Sequence, residues 1–184
     1  MSSRKKKKKG ESAASGVLSF SIYLLLIVTA IWLLNSFVIT KDVVSGESME
    51  DTLSDGDVLI IDRISYRVKN PRRFDIVVFP CGRDWYIKRI IGMPGETIQI
   101  DESGAVYANE RLLPDRFGRE AILESGIAGG KGITLGKGEY FVMGDNRNHS
   151  TDSRAAEIGP VKKQEFIGRA MIRIWPPSRL GSIK

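Results

Sequence analysis

Residues 45 to 53, SGESMEDTL, contain a serine that becomes a nucleophile only if a base elsewhere in the chain takes its proton. Glycine, serine and acidic residues are also ordinary turn residues, so Ser48 alone does not indicate chemistry. His149 is the one histidine and lies in a plain polar stretch, so a serine-histidine triad is not expected. Lys88 is the better candidate base, because its apolar neighbours in WYIKRII should disfavour the ammonium form. The competing interpretation is a lysine at a strand edge with its amine in water.

Metal and cofactor chemistry are not expected for this chain. One histidine and one cysteine do not make up the usual zinc ligand sets. Cys81 is the one cysteine, so no intrachain disulfide can form, and the cysteine lies between two strand-like segments as an incidental or buried thiol. We therefore predict no metal and no cofactor.

Four segments, in this order, resemble the successive conserved boxes of type I signal peptidases, the bacterial leader peptidase family. The resemblance extends from the N-terminal apolar segment to Arg154 and beyond, and the compact size is similar to the Gram-positive type. It implies a membrane-anchored serine endopeptidase that uses a Ser-Lys dyad to remove signal peptides from exported preproteins. The segments are SGESMEDTL (45 to 53), RFDIVVF (73 to 79), YIKRIIGMPGE (86 to 96) and GDNRNHSTDSR (144 to 154).

The same resemblance implies roles for individual residues. It makes Ser48 the nucleophile and Lys88 the general base, and it places Ser150 where a family serine hydrogen-bonds the lysine amine. Asp152 and Arg154 match a structural ion pair beneath the site. Scaffold roles are expected for Asp145, Asn146 and Arg147.

The oxyanion-stabilising groups follow less directly from the resemblance. The backbone N–H of Ser48 should be one donor to the oxyanion of the tetrahedral intermediate. Gly46 occupies a position where some members carry a hydroxyl-bearing residue, so the second donor stays open.

Asp51 is a departure from the family pattern Ser-Met-x-Pro-Thr-Leu, which has proline at this position. Proline would fix φ near −65° and stiffen the turn that carries Ser48. An ionised Asp51 close to Lys88 would raise the pKa of the lysine, whereas a solvated one would not. The departure leaves an alternative open: a catalytically weakened or inactive membrane-anchored homologue that acts as a binding module. A self-cleaving Ser-Lys regulator is disfavoured, because an apolar span stands where its DNA-binding domain would be.

The N-terminal region predicts a membrane anchor rather than a nucleic-acid arm. Residues 1 to 16 carry +5 of the formal net charge of +6, and residues 17 to 39 carry no charge. A helix of 23 residues is about 35 Å long, enough to cross a hydrocarbon core of about 30 Å. The run is longer than the apolar region of a cleavable signal peptide and lacks its small-x-small ending, which favours a retained anchor.

The charge asymmetry predicts a single-pass cell-membrane protein with its N-terminus in the cytoplasm. The expected domains are a basic cytoplasmic tail (1–16), a transmembrane anchor (17–39) and an extracytoplasmic catalytic domain (40–184). Expected partners are signal-peptide-bearing preproteins, the lipid bilayer and the neighbouring export machinery, with no nucleic acid. Trp175, followed by two prolines, is compatible with either a lipid contact or the edge of the core.

Beyond Thr40 the pattern predicts a mainly β fold, an antiparallel sheet or barrel-like domain. Short apolar and β-branched runs alternate with glycine, proline, asparagine and aspartate, and no comparable helical period is present. The Gly-rich segment 114–138 is expected to be a surface excursion of the sheet. The predicted strands are 57–65, 74–79, 85–92, 97–100, 105–113, 139–144 and 168–175.

Overall fold

The N-terminal helix comes first in the computed structural model, which describes residues 2–33, 38–118 and 120–183. Helix α1 extends over Ser2–Leu33, and its part Gly16–Leu33 is long and apolar enough to cross a membrane. Signal sequences have the same two properties. Residues 34–37 of the predicted span lie outside the described residues, and Ile39, its last residue, already belongs to a strand. Met1–Val38 and Ile39–Lys184 form two compact units, which are described separately.

The second unit is built from two antiparallel sheets, which confirms the predicted mainly β fold. The strands are β1 Ile39–Val43, β2 Val58–Asp62, β3 Ile76–Cys81, β4 Asp84–Gly92, β5 Thr97–Ile100, β6 Val106–Ala108, β7 Arg111–Leu112, β8 Ile133–Thr134, β9 Glu139–Met143, β10 Val161–Lys162, β11 Gly168–Trp175 and β12 Gly181–Ser182. A short helix, α2, covers Ser65–Val68. The larger sheet has the strand order β1-β2-β11-β3-β4-β9-β10, with β12 paired to β11, and the smaller has the order β7-β6-β5-β8.

Burial along the strands follows from the residues that form them. In β2, VLIID, buried residues alternate with half-buried ones, as expected when one face of a strand covers a core. In β4 every residue from Ile87 to Gly92 is buried, and Ile87, Ile90 and Ile91 each belong to a different core cluster. Ile91, Phe141 and Ile98 belong to the core cluster shared by the two sheets. The central strand β4 is thereby held on both faces.

Two sequence predictions need correction in detail. The predicted strand 105–113 is a hairpin, β6 and β7, because Asn109 and Glu110 take positive φ values of 50° and 63° and reverse the chain. The segment 114–138 is more than a surface excursion. It supplies β8 to the smaller sheet, and Ile122, Ala128 and Leu135 are buried in the shared core. Its many glycines obscured the apolar pattern that would have indicated a core role.

Candidate active site

Ser48 lies on a loop, residues 44–57, which we call the nucleophile loop. The loop is closed at its neck by two backbone hydrogen bonds, in which Val44 N–H donates to the Asp57 carbonyl at 2.8 Å and Gly56 N–H to the Val44 carbonyl at 2.9 Å. Met49 and Leu53, both essentially inaccessible, pack into the core below the loop. These apolar anchors leave Ser48 half-buried at the surface, directly beside one of them.

Lys88 lies in the middle of β4, where its backbone is opposite Val77 of β3. Its side chain is buried, with 4% of its surface exposed. The Lys88 amine donates a hydrogen bond to Ser48 Oγ at 2.6 Å, and Nζ lies 5.2 Å from the centroid of the Tyr86 ring. The two residues are 40 positions apart in the chain, and the fold brings Lys88 Nζ and Ser48 Oγ into direct contact.

Burial lowers the pKa of Lys88 from 10.5 to about 8, because the ammonium ion loses its hydration inside the protein. Asp152, Asp145 and Cys81 oppose this effect by favouring the charged form, whereas the guanidinium of Arg154 acts in the same direction as burial. With a pKa of about 8, Lys88 is neutral in roughly a tenth of the protein molecules at pH 7. A neutral amine can accept the proton of the serine hydroxyl, which an ammonium ion cannot.

Asp152 organises the polar groups below Lys88. Its Oδ2 accepts hydrogen bonds from Gly144 N–H at 3.0 Å, Ser150 Oγ at 2.8 Å and Arg154 Nη2 at 2.9 Å, and its Oδ1 accepts from Arg154 Nε at 2.8 Å. Both oxygens of the buried Asp152 carboxylate thus accept hydrogen bonds from neighbouring groups. The bond predicted between Ser150 and the Lys88 amine is not among the hydrogen bonds of the described residues. Ser150 therefore contacts Asp152, and its direct action on Lys88 stays a prediction.

The segment 144–147 holds the backbone of the nucleophile loop. Asn146 N–H donates to the Ser48 carbonyl at 3.1 Å, and Asn146 Nδ2 donates to the Glu47 carbonyl at 3.1 Å. A Cβ atom on Gly144 would collide with the Ser48 carbonyl and with Ser150 Oγ, so only glycine permits this close approach. Arg147, buried, donates to the Gly144 carbonyl and pairs with Asp115.

The N–H groups near Ser48 differ in their availability to an oxyanion. Gly46 has φ of +90°, a conformation that favours glycine, and its N–H donates to Asp55 Oδ1 at 2.8 Å. The Ser48 N–H has no partner among the hydrogen bonds of the described residues. The Gly46 N–H is therefore engaged within the loop, whereas the Ser48 N–H stays available as a hydrogen-bond donor.

A cleft of about 720 Å³ opens at Ser48 and Lys88. It is bounded on one side by residues 42–49 and on the other by residues 83–88, with His149 and Thr151 at its rim. Residues 84–88 pair with β3 on one edge only, since β9 joins β4 from Arg89 onward. The described strands thus leave the second edge of residues 84–88 open toward the cleft, where an extended peptide can add to a sheet.

Comparison with known proteins identifies the family. The model of the family described as "Signal peptidase, peptidase S26" matches residues 17–175. The chain belongs to this signal peptidase family. It is 37% identical over 166 residues to a probable signal peptidase I-2 from Synechocystis sp., an alignment that covers 84% of this chain and 72% of the relative.

A second relative agrees with this membership, and one solved structure is also similar to the chain. A signal peptidase I from Bacillus caldolyticus is 36% identical over 154 residues, covering 78% of this chain and 83% of the relative. A crystal structure of a signal peptidase I from Enterococcus faecalis V583 matches with a TM-score of 0.45 at 35% identity, covering 55% of this chain and 97% of that one. The family predicted from the four segments is confirmed. This signal peptidase family member is an enzyme of the hydrolase class, and cleavage of signal peptides is the activity that its membership supports.

Asp51, at the position of the predicted family proline, has an exposed side chain. The carboxylates that act most strongly on the Lys88 amine are Asp152 and Asp145. Asp51 thus lies at the surface, and the carboxylates with the largest effect on Lys88 come from the 144–154 segment.

Arg89 and Thr52 also belong to this signal peptidase's site, although the sequence predictions did not include them. Arg89 and Asp145, both with fully buried side chains, form a two-point ion pair, Nε to Oδ1 at 2.8 Å and Nη2 to Oδ2 at 2.7 Å. Thr52 Oγ1 donates to Asp145 Oδ2 at 2.6 Å, which connects the pair to the nucleophile loop. An arginine inside an apolar strand was the available signal, because arginine is almost never buried without a partner.

Proposed function

We propose that this protein is a membrane-anchored endopeptidase that cleaves N-terminal signal peptides from exported preproteins with a Ser48–Lys88 dyad. Neutral Lys88 takes the Ser48 proton as Oγ attacks the scissile carbonyl, and the Ser48 N–H stabilises the oxyanion. The resulting ammonium of Lys88 donates its proton to the departing amine of the mature protein. Lys88 then activates a water molecule, which hydrolyses the acyl-enzyme and regenerates the serine.

One observation carries the proposal: a buried lysine amine lies 2.6 Å from a serine hydroxyl, inside an open cleft. A lysine whose side chain is in water would keep a pKa near 10.4 and remain protonated at neutral pH. Burial of Lys88 lowers its pKa to about 8, which makes the base available at working pH. The contact and the burial together favour a catalytic role over a structural one.

The cleft can receive an extended peptide with small apolar side chains near the cut. The open edge of residues 84–88 can pair with an extended substrate through backbone hydrogen bonds. Val44, Met49 and Ile87 line the cleft beside Ser48, so its wall is apolar there. This is consistent with small residues, typically alanine, at the first and third positions before the cut. The proposed site residues are Ser48 and Lys88, supported by Gly46, Ser150, Asp152 and Arg154.

The proposed topology places residues 1–16 in the cytoplasm, residues 17–39 in the membrane and residues 40–184 on the outer face. The apolar part of α1 and the basic residues before it support this arrangement. Externally added protease should digest residues 40–184 in cells stripped of outer layers and spare the basic N-terminus. Protection of the β-rich unit from that protease would exclude the topology.

The decisive experiment is cleavage of a signal-bearing preprotein by the detergent-solubilised full chain. Ser48→Ala and Lys88→Ala should each abolish cleavage, and Lys88→Arg should also be inactive because a guanidinium stays protonated at any usable pH. Ser103→Ala and Lys137→Ala are matched controls, since these two residues lie at the surface away from the cleft. Cleavage by Lys88→Ala at the rate of the wild type would eliminate the dyad.

A further inference from the structure

The neck of the nucleophile loop contains a buried carboxylate outside the Ser48–Lys88 pair. Asp57 has no exposed surface, and its carbonyl accepts the Val44 N–H that closes the loop. Its carboxylate accepts the Ser54 N–H at 3.0 Å within the same loop. A buried carboxylate needs cationic partners, because the cost of removing it from water is not met by a single neutral donor.

Two arginines from the C-terminal part of the chain supply those partners. Arg173 Nη1, at the end of β11, donates to Asp57 Oδ2 at 2.9 Å. Arg179 Nη2, in the short 3-10 turn Pro177–Arg179, donates to Asp57 Oδ1 at 2.7 Å. Arg173 Nε also donates to the Arg179 carbonyl at 2.8 Å, so the two arginines hold each other in place. We call Asp57, Arg173 and Arg179 the arginine clamp.

The clamp also contacts the nucleophile loop closer to Ser48. Arg173 Nη1 donates to the Thr52 carbonyl at 3.0 Å, and Arg179 Nη1 donates to Ser54 Oγ at 2.8 Å. The Thr52 hydroxyl is held from the opposite side by Asp145. Thr52 lies four positions after Ser48. Its carbonyl is held by Arg173 and its hydroxyl by Asp145, so it is fixed by two different parts of the chain.

Apolar packing connects the same two parts of the chain. Ile183, which follows β12, is buried in the core cluster that contains Met49 and Leu53. Those two residues flank the turn of the loop, in which Leu53 N–H donates to the Met49 carbonyl at 2.8 Å. Residues 173–183, which we call the C-terminal segment, thus support the nucleophile loop in two ways: Ile183 packs against its apolar anchors, and the arginine clamp holds it by hydrogen bonds.

We propose that Arg173 and Arg179 are positioning residues that hold Ser48 at attacking distance from the substrate, acting through Asp57 and Thr52. This inference rests on the proposed role of Ser48 as the nucleophile. In it, the C-terminal segment contributes to catalysis as well as to the stability of the fold. Displacement of a nucleophile by about 1 Å can lower the rate about a hundredfold, so small shifts of the loop have large effects. Neither arginine lines the cleft, so peptide binding does not depend on them directly.

Arg179→Ala is the informative variant, because the Arg179 side chain is 39% exposed and its loss leaves Asp57 paired with Arg173. Arg169→Ala is the matched control. It removes an ion pair, Arg169 with Asp75 at 3.2 Å, from the same strand as Arg173, and the Arg169 side chain is 41% exposed. The measurement is kcat and KM for a signal-bearing peptide with the detergent-solubilised full chain, together with the Tm of each variant and of Ser48→Ala.

The expected result is a kcat lowered about tenfold or more in Arg179→Ala, with KM changed less than about twofold, and a larger loss in Arg173→Ala. Arg179→Lys should recover part of the kcat, and Arg169→Ala should keep the kcat of the wild type at a similar Tm. A kcat in Arg179→Ala equal to that of Arg169→Ala would overturn the inference, as would a rise in KM alone. Cleavage by Ser48→Ala would instead overturn the proposed function, so the two failures are distinguishable.

Discussion

Replacement of Lys88 by methionine should abolish activity and at the same time stabilise the protein. Methionine keeps the length and the apolar stem of lysine and removes the amine. The pKa of Lys88 falls from 10.5 to about 8 on folding, and each pKa unit corresponds to about 1.36 kcal/mol. Holding the ammonium in the folded protein at pH 7 therefore costs about 3 kcal/mol. Loss of the hydrogen bond to Ser48 costs about 1 kcal/mol, so the expected net gain is about 2 kcal/mol.

The pH dependence of this gain has a definite sign. Well below pH 8 nearly all folded and unfolded wild-type molecules carry the proton on Lys88, and the full cost is present. Between about pH 8 and 10.5 the unfolded chain binds more protons than the folded one, so the wild type gains stability as the pH rises. The methionine variant lacks this gain. Its advantage over the wild type should shrink through that range and disappear above it.

The assay is denaturant unfolding of the detergent-solubilised full chain, followed by fluorescence of Trp85 and Trp175. These two tryptophans belong to the β-rich unit and Trp32 belongs to α1, so a Trp32→Phe background makes the signal report unfolding of the β-rich unit. Lys137→Met serves as the matched control, because Lys137 is exposed and its replacement should leave stability nearly unchanged at every pH. The reasoning would be refuted by a Lys88→Met variant that is less stable than the wild type at pH 7. It would also be refuted if the difference in the free energy of unfolding between variant and wild type were the same at pH 7 and pH 10.

Three further outcomes are expected. The value of kcat/KM for the wild type should rise about tenfold per pH unit up to about pH 8 and then level off, as a pH–rate profile will show. Arg89→Met should lower the free energy of unfolding by about 3 to 5 kcal/mol, because it leaves the Asp145 carboxylate buried without its cation; an unchanged denaturation midpoint would contradict this. Asp51→Asn should move the acidic limb of the profile by less than about 0.3 pH units, because exposed charges are screened by water and salt, and a larger shift would show direct coupling to Lys88.

The strands were largely predictable from local sequence, and the exceptions have physical reasons. Runs rich in β-branched residues predicted β4 and β11 closely, since strands favour such residues on a pleated, partly buried surface. Strands of two residues, such as β8 and β10, carry too few side chains to form a pattern. They form because a neighbouring strand offers hydrogen-bonding groups, which local sequence does not record.

The chemical groups of the site were easier to predict than the contacts between them. Ser48, Lys88, Asp152 and Arg154 are identifiable from the four family segments alone. Arg173 and Arg179 are not, because they lie outside those segments and their partner, Asp57, is more than a hundred positions away. Their role becomes visible only when the fold brings the C-terminal segment beside the nucleophile loop.

Residue types and their local order were sufficient to predict the family and the mainly β class, and they supplied the candidates for the chemistry, which stay predictions. Properties that depend on long-range contacts required the folded chain. Ser48 and Lys88 are 40 residues apart in the chain, and only folding places the Ser48 hydroxyl and the Lys88 amine 2.6 Å from each other. The pKa of Lys88 is set by burial and by Asp152 and Asp145, groups from a distant segment. Desolvation and Coulomb forces act through space, so no local pattern of residues can specify their sum.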